Sequence, residues 1–205
     1  IIQQVRYLLN RFDAISCREP TGIKILQDTF GVKAECVLDP TLLFDGYPEL
    51  VGNIVQKNTL VYYPLTIDPE LENFAVKLAD QLGLSVVNNK QVTYLFGSVE
   101  WKRVSIKEWI RNIAEAKFVI TRSFHGMAFS LIYHRQFVVV GNKNGRSSRI
   151  TDLLNKLGIR DRYFESFDEL YQAKPWETML DYEKIGMGLQ DLRRKSFNFL
   201  ETVFK

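Results

Sequence analysis

Apolar residues recur along this chain in two rhythms, and the alternation between them predicts its elements. Leu71, Phe74, Ala75, Leu78 and Leu82 fall at helical spacing, which places them on one face of an α-helix. Asp68 supplies an N-cap, Pro69 takes the first helical position and Gly83 ends the run, so a surface helix is expected between them. Ser105 and Glu108 form a capping box ahead of Ile106, Trp109, Ile110 and Ile113, and Ser166 and Glu169 repeat the device,. The second rhythm is a set of short, nearly continuous apolar runs: Ala14 to Ser16, Cys36 to Leu38, Leu60 to Tyr63, Leu84 to Val87, Phe118 to Ile120 and Phe137 to Val140. Runs of that kind, separated by helices, read as parallel strands buried on both faces. Gly31, Gly83 and Gly158 each stand between a helical stripe and an apolar restart, where helix-to-strand connections place glycine. The expected fold class is α/β, with a doubly wound parallel sheet.

The rhythm lapses from Asp39 to Asn58, a stretch with two prolines and two glycines. Residues 1–45 are therefore expected to be the end of one α/β domain with the start of a linker, and residues 46–205 a second α/β domain. The second closes with an amphipathic helix carrying Leu189, Leu192, Phe197, Leu200, Val203 and Phe204, which needs a surface near the boundary to pack against. The chain opens at Ile1, already inside a helical pattern of Ile2, Val5, Leu8 and Leu9, so a piece of a longer protein is expected.

Composition narrows the function. At 205 residues and 46% hydrophobic content, the chain can bury one good core. Its 27 basic and 24 acidic residues leave a net charge of +3, too even a balance for a nucleic-acid binder. No apolar run approaches the ~20 residues of a membrane helix. Cys17 and Cys36 give neither metal spacing nor a disulfide framework, which fits a reducing cytoplasm,. No His, Cys, Asp or Glu cluster has metal-ligand spacing, so no metal or cofactor is expected.

The unusual chemistry sits between the strand at Phe118 and the helix after it. Thr121, Arg122, Ser123, His125 and Gly126 crowd one turn at the carboxyl end of an expected parallel strand. Open α/β sheets bind ligands there, and free amides at a helix start favour an anion. Gly126 lets another group approach the backbone closely. Arg122 has two readings: it faces the anion, or it pairs on the surface with Asp39 or a nearby Glu. His134, at the far end of the same helix, reads as structural. Arg18 lies where a strand gives way to a proline-initiated helix, a second ligand-facing position. Asp39, before Pro40, reads as a tie at the hinge. The run Gly141 to Arg149 puts Lys143, Arg146, Ser148 and Arg149 ahead of a helix, where they could cradle a phosphate or carboxylate.

Four segments in this order, SCREPTG, VLDPTLLF, FVITRSFHGMAFSLIY and FVVVGNKNGRSSRITDLLNKLGI, resemble the polysaccharide pyruvyl transferase family from about Arg11 to about Ile159. The most specific pair is the Ser-Phe-His-Gly turn with the downstream Ser-Arg and Leu-Leu spacing. The resemblance implies a two-domain GT-B-like arrangement, this chain carrying the tail of the first domain and a Rossmann-like second one. It implies transfer of a pyruvyl group from phosphoenolpyruvate, as donor substrate, to a sugar hydroxyl of surface polysaccharide, with formation of a ketal. By the same comparison His125 matches the family's histidine and Arg18 its Ser-x-Arg-Glu arginine, implied to hold phosphoenolpyruvate. Where characterised branches carry an arginine two places before the histidine, this chain has Ser123, with Arg122 one residue earlier. Arg18, Arg122 and His125 are then expected to converge on one open cleft. Two other readings of the residues remain: a GT-B-type glycosyltransferase using a nucleotide-sugar, and a domain that binds glycan or a partner without catalysis.

Overall fold

The computed structural model describes residues 1–64, 68–89, 92–95, 98–101, 104–141 and 147–204. The chain forms two compact units: residues 1–43, 146–160 and 181–205 make the first, residues 44–145 and 161–180 the second. In chain order the first unit opens with α1 (Ile2–Leu9), β1 (Ser16–Cys17), α2 (Pro20–Ile25) and β2 (Glu35–Cys36). The second runs through α3 (Tyr47–Val51), β3 (Thr59–Tyr63), α4 (Pro69–Leu82), β4 (Ser85–Asn88), β5 (Val92–Leu95), β6 (Ser98–Trp101), α5 (Ile106–Glu115), β7 (Phe118–Thr121), α6 (Phe124–Ile132) and β8 (Gln136–Val140). Then come α7 (Ser148–Lys156) in the first unit, β9 (Tyr163–Phe164) and α8 (Phe167–Ala173) in the second, and α9 (Tyr182–Val203) in the first.

The second unit is a five-stranded sheet in the order β4-β3-β7-β8-β9 with every pair parallel. Side chains alternate along its strands. Leu60, Tyr62, Phe118, Ile120, Val138, Val140 and Phe164 face one way and join Leu71, Phe74, Ala75, Leu78 and Ala79 of α4 and Phe167 and Leu170 of α8 in one core. Val61, Val119, Phe137 and Val139 face the other way and are fully buried, on the side where α5 and α6 close the sheet through Ile110, Ile113, Met127 and Leu131. Both faces are covered, which is why these strands read as unbroken apolar runs.

The N-cap bonds are formed, while Glu169, the second half of the Ser166 capping box, accepts from the Glu165 N–H rather than from that of Ser166. Asp68 accepts from the Leu71 N–H, Ser105 from that of Glu108 and Ser166 from that of Glu169. Gly83 ends α4 with a φ of 64°, a left-handed conformation that glycine adopts without penalty. Ile106, expected on the apolar stripe of α5, is instead exposed, and the buried face starts further along the helix. Three features carried no readable signal. The antiparallel pair β5-β6 and the two-residue β9 are too short for periodicity to mark, and α3 lies inside the aperiodic stretch.

The first unit holds a separate parallel pair, β1-β2, with Ser16 opposite Glu35 and Cys17 opposite Cys36. Among α1, β1, α2 and β2 no residue is fully buried. Its buried apolar residues are Val32, Leu38 and Leu42 together with Ile150, Leu153 and Leu154 of α7, Leu157 and Ile159 after it, and Ile185 of α9. The stripe on α9 is rotated from expectation: Phe197 and Phe204 are exposed, whereas Ser196 is buried. Ser196 accepts the Leu38 N–H at 2.9 Å while donating to the Leu192 carbonyl, and Arg193 donates to the Leu42 carbonyl at 2.6 Å. Polar anchoring to the backbone thus decides which face turns inward. Among the described residues, no helix is long and apolar enough to cross a membrane.

Candidate active site

Counting strands within the second unit, the sheet order reverses between β3 and β7, because β3 leads outward to β4 while β7, β8 and β9 lead the other way. The carboxyl ends of two parallel strands at such a reversal leave a crevice that ligands fill. Thr121 ends β7 there, fully buried. Its hydroxyl donates to the Tyr63 carbonyl at the end of β3 at 3.1 Å and accepts the Ser123 N–H at 2.9 Å. One side chain therefore ties the two strand ends together and bends the chain into α6.

Ser123 is the N-cap of α6, extended and buried, with no side-chain capping bond. The first helical bond runs from the Met127 N–H to the Ser123 carbonyl at 3.1 Å. The amides of His125 and Gly126 precede it in the first turn, whose N–H groups in a helix do not enter the intrahelical ladder. Phe124 and every residue from Gly126 to Leu131 are buried; His125 alone in that run is exposed. The sequence pattern of α6, apolar all round, thus describes a buried helix whose single exposed residue is His125 in its first turn.

Gly126 has a reason the sequence did not disclose. A Cβ on it would meet Thr121 Cβ at 3.0 Å and come closer still to Thr121 Oγ1, so the group that approaches the backbone here is Thr121 itself. Gly126→Ala is expected to cost ~1–3 kcal/mol by overpacking, measurable as a lower urea midpoint at unchanged slope.

Arg122 is largely buried and committed. It pairs with the Asp68 carboxylate, donates to the Gly141 carbonyl and lies 5.3 Å over the Phe167 ring. Its partner is Asp68 rather than Asp39. Sequence reading gave Asp68 only the task of capping α4; in the structure it also anchors the turn that presents His125.

Arg18 belongs to the first unit, and Arg122, Ser123, His125 and Gly126 to the second. Arg18 follows β1 and pairs with Asp39, which is buried and also accepts the Thr41 N–H at 3.0 Å. Glu19, the N-cap of α2, accepts the Ser148 hydroxyl and lies 4.0 Å from Arg149. The structure thus pairs Arg18 with Asp39 and, separately, Glu19 with Ser148 and Arg149, with Glu19 as the residue that sequence reading passed over. Lys143 and Arg146 lie outside the described residues.

Burial works against the Asp39 carboxylate, but the Thr41 N–H and the Arg18 guanidinium outweigh it and hold its pKa below the ordinary 3.8. A lowered native pKa means stability that is fully present above the unfolded value and is lost as pH falls through the native one. Acid unfolding below about pH 4 should therefore be less steep in Asp39→Asn than in the wild type, as followed by circular dichroism.

A five-stranded parallel sheet covered by helices, with a buried helix opening at its reversal point and an exposed imidazole on that helix, defines an α/β protein. Among the described residues, no group of three or more His, Cys, Asp or Glu side chains is placed to hold a metal ion. The family model described as polysaccharide pyruvyl transferase matches residues 2–144, more than two thirds of the chain, and the chain belongs to that family. The match takes in Arg18, Arg122, Ser123, His125 and Gly126 and ends before Ser148 and Arg149. No curated protein and no solved structure matches.

Proposed function

We propose that the chain is part of an enzyme that moves the pyruvyl group of phosphoenolpyruvate onto hydroxyls of a surface polysaccharide, leaving a ketal and inorganic phosphate. The observation that carries the reading is the exposed His125 at the start of an otherwise buried helix, in a chain of this family. The donor is an enol ester of phosphoric acid. A proton delivered to its methylene carbon gives an oxocarbenium-like centre, one sugar hydroxyl adds, and a second displaces phosphate as the ketal closes. An imidazole can deliver or accept such protons near neutral pH, and His125 is assigned that role.

The donor brings a carboxylate and a phosphate, which arginine forks and open amides suit. Arg18, more than a third exposed beside Asp39, is assigned to donor binding, together with the Ser123 and Gly126 turn and the basic run at Lys143, Arg146, Ser148 and Arg149. Arg122, already paired with Asp68 and the Gly141 carbonyl, supports the site by holding that turn in place. A GT-B-like arrangement belongs to the same proposal. The exposed parallel pair β1-β2 fits the tail of a larger α/β domain, since parallel sheets are ordinarily covered on both faces.

The test is incubation of the full-length protein with phosphoenolpyruvate and the native polysaccharide. Phosphate release matched by the mass of a pyruvate ketal on the glycan is expected, and phosphoenolpyruvate should protect the protein from heat. Protection by a nucleotide diphosphate instead, with no ketal formed, would discard this reading.

A further inference from the structure

The chain's two cysteines, nineteen positions apart and unrelated by any motif, are brought opposite one another on neighbouring parallel strands: Cys17 of β1 pairs in register with Cys36 of β2. The Val37 N–H donates to the Cys17 carbonyl at 2.9 Å and the Glu35 N–H to the Ile15 carbonyl at 3.0 Å, which fixes that register. Registered residues of adjacent strands point to the same face. Strands lie about 4.8 Å apart, inside the roughly 4.4–6.8 Å between Cα atoms that a disulfide spans. Both thiols are free in this structure.

The surroundings divide the labour between the two sulfurs. Cys36 is exposed and Cys17 half-buried, the latter against Gly22 of α2, where a Cβ would come 3.0 Å from its sulfur. The Lys156 ammonium of α7 lies 3.5 Å from Cys36 Sγ and 2.7 Å from Asp152. Burial works against that ammonium, yet the Asp152 bond and the Cys36 charge outweigh it and raise its pKa, so a fixed positive charge stands beside the sulfur that must react as a thiolate. Burial, with the charges of Cys36 and Glu19, pushes the Cys17 thiol up. Cys36 also lines an open groove of about 650 Å³ with Asp13, Glu35, Lys195 and Asn198, whose charges of both signs suit a small zwitterionic peptide.

We propose that Cys17 and Cys36 form a reversible dithiol–disulfide site that takes glutathione disulfide as its oxidant. The Cys36 thiolate attacks one sulfur of the oxidant, forming a mixed disulfide and releasing one glutathione thiolate. Cys17, losing its proton to solvent, then attacks Cys36 Sγ and releases the second glutathione. Two protein thiols are oxidised and one small disulfide is reduced to two thiols. The bond would cross-link the strands that lead directly into Arg18 and, three residues beyond Cys36, into Asp39. Its formation is independent of the activity proposed above.

The test uses the reduced full-length protein, treated with glutathione disulfide, trapped with an alkylating agent under denaturing conditions and mapped by mass spectrometry. The expected result is loss of both thiols with a linked Cys17–Cys36 peptide, restored by dithiothreitol. Cys17→Ser should stop at one glutathionyl group on Cys36, Cys36→Ser should keep Cys17 as a free thiol over the same time, and Lys156→Gln should slow the wild-type reaction several-fold. A stable glutathionyl group on wild-type Cys36, two surviving thiols, or a link between two chains would overturn the proposal.

Discussion

His125→Ala in the full-length protein is expected to lower turnover by about 10²-fold or more, the usual contribution of a positioned acid or base. Stability and donor affinity should change little, because the side chain is exposed and the fold around it is held by Thr121, Ser123 and Gly126. Arg18→Ala should do the reverse, weakening donor binding with a smaller effect on the chemical step, since it removes a charge partner of the phosphate or carboxylate. Single-turnover kinetics with saturating phosphoenolpyruvate separate the two. Wild-type turnover in His125→Ala would take the imidazole out of the mechanism and leave it an ordinary residue of the first helical turn.

Arg122→Met should be the most destabilising single change at the site, by about 3 kcal/mol or more. The Arg122 and Asp68 side chains are only 10% and 15% exposed, and removing one member of a buried pair leaves the other charge uncompensated. The Gly141 carbonyl also loses its donor. Adding Asp68→Leu to Arg122→Met removes the stranded charge, so the double variant should recover part of the loss even though the α4 cap is gone. Urea unfolding of the two single variants and the double gives the coupling directly. Purely additive losses would mean that the pair is not energetically joined.

Most of the architecture was legible because its signals are local. The α4 segment carries its cap, its stripe and its glycine stop within sixteen residues, from Asp68 to Gly83, and each acts on its own neighbours. The same holds for β3, β7 and β8, whose unbroken apolar runs record burial on both faces. Elements without a period, α3, β9 and the β5-β6 pair, were not legible, since a strand of two to four residues cannot display an alternation. The face of α9 was misjudged because Ser196 and Arg193 are polar by type and inward or anchored by circumstance.

For the site the division is sharper. Local sequence chemistry sets the strand, turn and helix around His125, the open amides of α6 and the apolar burial that leaves the imidazole as its one exposed group, because these depend on residue type and spacing. Partnership across the chain does not. That Arg122 answers Asp68, that Thr121 makes Gly126 obligatory, that Glu19 meets Ser148 and that Cys17 stands opposite Cys36 are all contacts between segments whose sequences carry no mark of one another. Strand order and register bring them together, and those follow from how whole elements pack, with burial and hydrogen bonding satisfied at once over many residues.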